Sequence, residues 1–119
     1  MGTLRIKRVY DPPSRGDGRR VLVDRLWPRG FKREGARIDL WLKEVAPSAE
    51  LRRWFNHDPA RWSEFQKRYR AELRGNTDSV ETLRDLIRGA RPVTLLFAAK
   101  DAEHNNAVAL RNHLSAKVG

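Results

Sequence analysis

The chain contains no cysteine. That excludes disulfides, thiol nucleophiles, thiolate metal sites and iron–sulfur clusters. Small secreted domains ordinarily depend on disulfides, so the absence points to a reducing compartment. Long apolar runs are missing as well, and no stretch approaches the roughly eighteen residues of a transmembrane helix. The start, Met1-Gly2-Thr3-Leu4-Arg5, lacks the apolar core of a signal peptide. The expectation is a cytoplasmic protein with no membrane partner. Several chemical signatures are also absent: a P-loop, GxGxxG, HExxH, a paired histidine spacing for zinc, and a serine nucleophile elbow. The sequence therefore names no metal ligand and no cofactor.

What is present is a chain of 119 residues, enough for one domain over residues 1–119. Four Trp, four Phe and two Tyr supply large rings for a core, which sets the chain apart from a disordered polymer. The formal net charge is +10. Such a surface attracts anions, from phosphorylated metabolites to nucleic acid. An arginine-rich composition alone is the competing explanation. Against it, residues 1–37 hold eleven Lys and Arg against four acids, whereas the rest holds fourteen against eleven. A pure bias would spread more evenly.

The element pattern reads as α/β. Alternation at Leu4 and Ile6 predicts a strand over 3–9, and the Pro- and Gly-rich stretch 11–18 predicts a loop. Val21, Leu22 and Val23 form an apolar run that suits a strand buried on both faces, over 20–24. A short helix is expected over 38–45, stopped by Pro47. Ser48 is an N-cap candidate for a helix over 49–55. Asp58-Pro59 announces another, with Trp62, Phe65, Tyr69 and Leu73 along one face until Gly75-Asn76. A helix over 78–88 follows, then a buried strand over 92–99. A final helix capped by Asp101 is expected to run to about Lys117. This order implies a small, mostly parallel sheet of about three strands flanked by helices. The direction of the first strand stays open.

Ligands in such sheets gather beyond the carboxyl ends of the strands. Two segments qualify. In Asp24-Arg25-Leu26-Trp27-Pro28-Arg29-Gly30-Phe31-Lys32-Arg33, Arg25 and Arg29 can fork onto phosphate or carboxylate oxygens. Trp27 stacks on a ring or fills the core. Asp24 orients Arg25 or moves a proton. In the segment from Lys100 to Asn106, Lys100 offers a cation, and His104, expected in the first helical turn, is a candidate general acid or base. Asn105 and Asn106 are poor helix formers, so finding them in a helix suggests that their amides are used. If the first strand is parallel, Arg8, Tyr10 and Asp11 join the same rim. Asp11 and Asp17 otherwise read as members of a flexible loop.

Lys7-Arg8-Val9-Tyr10-Asp11-Pro12 and Leu22-Val23-Asp24-Arg25-Leu26-Trp27-Pro28-Arg29-Gly30 resemble the YeaO-like family of small bacterial proteins, part of a larger group classed as a domain of unknown function. Pro47-Ser48 with Leu51-Arg52, Thr94 to Lys100, and His104-Asn105 before Ala107 resemble it too. The resemblance implies an α/β fold and carries no established activity. Relatives in the wider group bear a Cys after the last strand and a Cys-His-Arg at the next helix. Ala98 and the His104-Asn105-Asn106 stretch stand in those places here, which removes that cysteine chemistry. Three functions remain in view: binding of an anionic small molecule or nucleic acid, an enzyme using Asp24 or His104 on an anionic metabolite, and a protein-interaction module built on Trp41 or Trp54.

Overall fold

The computed structural model describes residues 4–32 and 37–115. Four strands, β1 (Leu4–Arg8), β2 (Arg19–Leu22), β3 (Leu40–Trp41) and β4 (Val93–Phe97), form one sheet in the order β1-β4-β2-β3. Every pairing is parallel, so the first strand runs with the others. Four helices accompany them: α1 (Ala49–Phe55), α2 (Trp62–Arg74), α3 (Thr77–Arg88) and α4 (Asn106–Ser115).

Strand alternation sorts the side chains to two faces. Val21, Val23, Val93, Leu95 and Phe97 meet residues from all four helices, including Phe55, Phe65, Leu83 and Leu110. Leu22, Leu96 and Val9 point the other way and are covered by Trp27, Phe31, Ile38 and Trp41. The helices therefore occupy one face, and the segment that follows β2 covers the other.

The helix expected over 38–45 is instead β3 followed by a short 3-10 turn, Lys43–Val45. Ile38, Trp41, Leu42 and Val45 carry helical spacing, but burial is two-sided. Leu40 and Leu42 pack toward the helices, while Trp41 packs toward the opposite cluster. Extended backbone also satisfies the outer edge of β2: Asp39 N–H donates to Arg20 O at 2.8 Å and Leu42 N–H to Leu22 O at 2.9 Å. Sheet pairing outweighs the local pattern.

The expected N-cap of α1 forms. Ser48 Oγ accepts from Leu51 N–H at 3.1 Å. The same hydroxyl donates to Glu72 of α2 at 2.6 Å, fixing the start of α1 against its neighbour. Tyr69 Oη donates to Val45 O and holds the turn before Pro47. Asp101, by contrast, does not cap α4. Its Oδ1 accepts from Glu103 and His104 N–H in a turn, and Asn105 Oδ1 accepts from Val108 N–H at the helix start. His104 thus precedes α4, Asn105 caps it and Asn106 opens it. The expected end near Lys117 lies outside the described residues.

The 11–18 segment is not merely a flexible loop. Asp17 is 3% exposed and Arg20 4%. Asp17 Oδ2 lies 2.6 Å from Arg20, and its carboxylate also accepts from Lys7 and from Ser14. Gly18, at φ +61°, permits the approach to Pro92, whose carbonyl would lie 2.1 Å from any Cβ there. Burial raises the Asp17 carboxyl, but the bonds from Ser14, Arg20 and Lys7 outweigh it and hold the group far below the usual carboxylate range.

Asp17→Asn is therefore expected to cost about 3 kcal/mol, because Arg20 keeps its burial and loses its counter-charge. The folded carboxyl titrates below the unfolded one. Its contribution is complete above the ordinary aspartate range and is lost as pH falls through that range toward the folded value. Urea midpoints measured against pH should drop in wild type over this acid window and vary less in the variant.

Candidate functional site

Parallel neighbours β2 and β4 end side by side, but the chain leaves them in opposite directions. After β2 it crosses the face that carries Trp27 and Phe31, whereas after β4 it enters α4 on the helical face. Such divergence opens a crevice at the carboxyl ends. A cavity of about 560 Å³ lies there.

Asp24 stands in this crevice. Its Oδ2 accepts from Ala98 N–H at 2.9 Å, and its Oδ1 accepts from Asn106 Nδ2 at 2.9 Å. Asn106 gives its other proton to Val23 O at 3.0 Å. One side chain pair thus joins the ends of β2 and β4 to the start of α4. Burial pushes the Asp24 carboxyl above its ordinary value. The Asn106 and Ala98 hydrogen bonds and the charges of Arg52 and His57 pull the other way.

Arg25, Arg29, Arg52 and Arg53 border the same cavity. Among the described residues none of the four lies within ion-pair distance of a carboxylate, a property shared by other exposed arginines of the chain; what sets the four apart is that they border one cavity. Arg25 makes one long bond to Pro47 O, 3.4 Å. Arg29, Arg52 and Arg53 are exposed. Phe55, Phe65, Ala46, Pro47, Ala98 and Ala99 supply apolar walls.

Of the residues singled out from the sequence, Tyr10, Asp24, Arg25, Trp27, Arg29, Asn105 and Asn106 line the cavity. Tyr10 Oη donates to Arg29 O at 3.1 Å and its ring stacks on Phe31, which fixes the Pro28-Arg29-Gly30 turn. Trp27 donates to Phe31 O at 2.8 Å and meets Trp41 edge-on. Four others stand outside the lining: Arg8, Asp11, Lys100 and His104. Arg8 donates to Ala99 O and Ala98 O and lies over the Tyr10 ring, so it braces the rim from behind. His104 is held by Asp101 at 2.9 Å and by an edge contact with Trp62. Asp11 and Lys100 are exposed, and Arg33 lies outside the described residues.

The sequence reading missed Arg52, Arg53, Asn56 and His57. Two adjacent non-glycine residues, Asn56 and His57, adopt left-handed backbone at φ +49° and +54°. An asparagine commonly ends a helix this way, but a second such residue is uncommon and costs about 1 kcal/mol or more. The available signal was Asn56-His57 wedged between a helix and the Asp58-Pro59 start.

A family model described as the inactive DUF488-N3 subclade matches residues 3–119. The uncharacterized protein YeaO of Escherichia coli (strain K12) is 41% identical over 111 residues, covering 93% of this chain and 96% of that protein. The chain belongs to this YeaO-like family. The uncharacterized protein Rv3073c of Mycobacterium tuberculosis (strain H37Rv) is similar as well, 40% identical over 114 residues, or 96% of this chain and 95% of its own length. No solved structure matches. Within the YeaO-like chain, the stretches that carry the resemblance contribute Tyr10, Asp24 to Arg29, Pro47, Arg52, Ala98, Ala99 and Asn105 to the cavity wall.

Because burial dominates at Asp24, its side-chain carboxyl carbon should titrate above the ordinary aspartate midpoint in a carbon NMR titration. Arg52→Ala removes a charge that favours the anion and should move that midpoint further up. A midpoint at or below the ordinary value would contradict this description. The sign for stability follows: the folded state holds the Asp24 proton more tightly, so this group costs stability as pH rises from the unfolded to the folded pKa.

Proposed function

We propose that this YeaO-like protein binds a small anionic ligand, phosphate- or carboxylate-bearing, in the cavity at the carboxyl ends of β2 and β4. One observation carries the reading: four guanidiniums border a single cavity, and among the described residues none of them has a carboxylate within ion-pair distance. Unpaired arginine forks are suited to phosphate and carboxylate oxygens. The volume of about 560 Å³ falls in the range of small-molecule sites and favours a metabolite over a nucleic-acid strand.

Binding without turnover is favoured over catalysis. The family's description calls the subclade inactive. The resemblance puts the wider group's cysteines at Ala98 and near His104-Asn106, and no thiol stands there. His104 is engaged with Asp101, away from the lining. The enzymatic alternative rests on Asp24 alone, whose carboxyl is already spanned by two hydrogen bonds.

Thermal unfolding at low salt with phosphate, pyrophosphate and small carboxylates tests the reading. A native-state ligand at a hundredfold excess over Kd adds about 2.7 kcal/mol, roughly 10 °C in Tm for a domain of this size. The expected result is a selective rise that an Arg52→Ala, Arg53→Ala double variant abolishes. Equal stabilisation by every polyanion, oligonucleotides included, that fades with salt and survives the double variant would contradict it.

A further inference from the structure

Past its last residue, Phe55, α1 is followed by two residues in left-handed backbone, Asn56 at φ +49° and His57 at φ +54°. The first is an ordinary way to end a helix, and Asn56 N–H closes on Arg52 O at 3.0 Å. The second is not. Glycine takes that conformation freely, whereas a histidine there is strained. The turn into Asp58-Pro59 would therefore be made more easily without the imidazole.

The fold takes little from this ring in return. His57 is exposed, and its ring contact is a tilted one with Phe55, 6.4 Å between centroids. Neither ring nitrogen has a hydrogen-bond partner among the described residues. Of the three histidines, His57 alone lines the cavity. His104 is bonded to Asp101 outside the lining, and His113 lies on α4 among Arg70, Arg74 and Arg84.

The charged groups around His57 come from two elements. The last turn of α1 brings Arg52 and Arg53, and the segment after β2 brings Asp24, Arg25 and Arg29. A positive charge on His57 favours the Asp24 anion, so the two share one field. The strand end at Ala98 and Ala99 and the α4 start at Asn105 and Asn106 add no charge to the lining. Asp58, next in the chain, faces Arg61 at 3.7 Å.

We propose that His57 is a fifth anion-binding group of this cavity and that it binds as imidazolium, so that anion and proton are taken up together. This rests on the anion-binding reading and adds a titratable group to it. Arginines stay charged throughout and give the site a fixed attraction. A histidine makes the attraction respond to pH near neutrality. Protonation turns both of its ring nitrogens into donors, where the neutral ring would also present a lone pair to the anion.

Proton–carbon NMR of the histidine rings in the whole chain tests this with sulfate, whose charge is fixed across the histidine range. His57→Gln identifies the His57 resonance, and His104 and His113 serve as internal references. Saturating sulfate should raise the His57 midpoint by about one pH unit and leave the other two in place. By linkage, sulfate then binds about tenfold tighter below the free midpoint than above the bound one. Protonation of Asp24 also favours an anion, so the ring resonance, and not the affinity profile alone, assigns the group. His57→Gly should unfold at about the wild-type temperature or above, because glycine fits the turn, and should lose the histidine step from the profile. A His57 midpoint that saturating sulfate moves no more than those of His104 and His113 would overturn the proposal and leave anion binding standing. So would a His57→Gly chain that unfolds well below wild type yet keeps the pH step. No saturable binding of sulfate or pyrophosphate at any pH would overturn both.

Discussion

Everything at the carboxyl edge of this sheet depends on the Asp24–Asn106 contact. Parallel strands end with backbone groups that no partner strand satisfies. At the ends of β2 and β4 these are the Val23 carbonyl and the Ala98 N–H, and the two side chains take both. The contact holds the crevice open at a fixed width, because it ties the start of α4 to the strand that diverges from it. It has a cost, since a carboxylate must be kept half-buried and pushed toward protonation. A well-packed apolar pair would join the same elements without that cost.

A second polar cluster sits near the opposite ends of the strands, where Asp17 gathers Lys7, Arg20 and Ser14, and Thr94 donates to the Asp17 carbonyl. There two cations, Lys7 and Arg20, share one enclosed carboxylate. At the carboxyl edge Arg25, Arg29, Arg52 and Arg53 border a cavity, without an ion pair among the described residues. Four of the eleven cations in residues 1–37 fall in these two places, Lys7 and Arg20 at Asp17 and Arg25 and Arg29 at the cavity.

Much of this was legible in the sequence, for physical reasons that differ by element. The faces of α2 and α3 and the strand β4 carry strong single-period patterns, and local caps at Ser48 and Asp58 mark the start of α1 and of the 3-10 turn Pro59–Arg61 that leads into α2. β3 was not legible, because a two-residue strand buried on both sides carries helical spacing by accident and is decided by pairing with β2. Asp17 was hidden for a similar reason: breaker residues signal a loop but not that the loop folds back over Lys7 and Arg20. At the site, Asp24, Arg25, Arg29, Asn105 and Asn106 stood out because they follow strands. Arg52 and Arg53 did not, because cations on a short helix ordinarily face solvent, and only the approach of α1 to the strand ends brings them to the cavity. His104 read as a first-turn residue until the Asp101 turn displaced the helix start.

The central claim is that one cluster of arginines, and not the charge of the whole surface, receives an anion. Nitrogen NMR of the guanidinium groups during titration with pyrophosphate tests it most directly. The account predicts saturable shifts concentrated at Arg25, Arg29, Arg52 and Arg53, with the Ala98 amide moving alongside them. Weak, unsaturating shifts spread over arginines on every helix would contradict it.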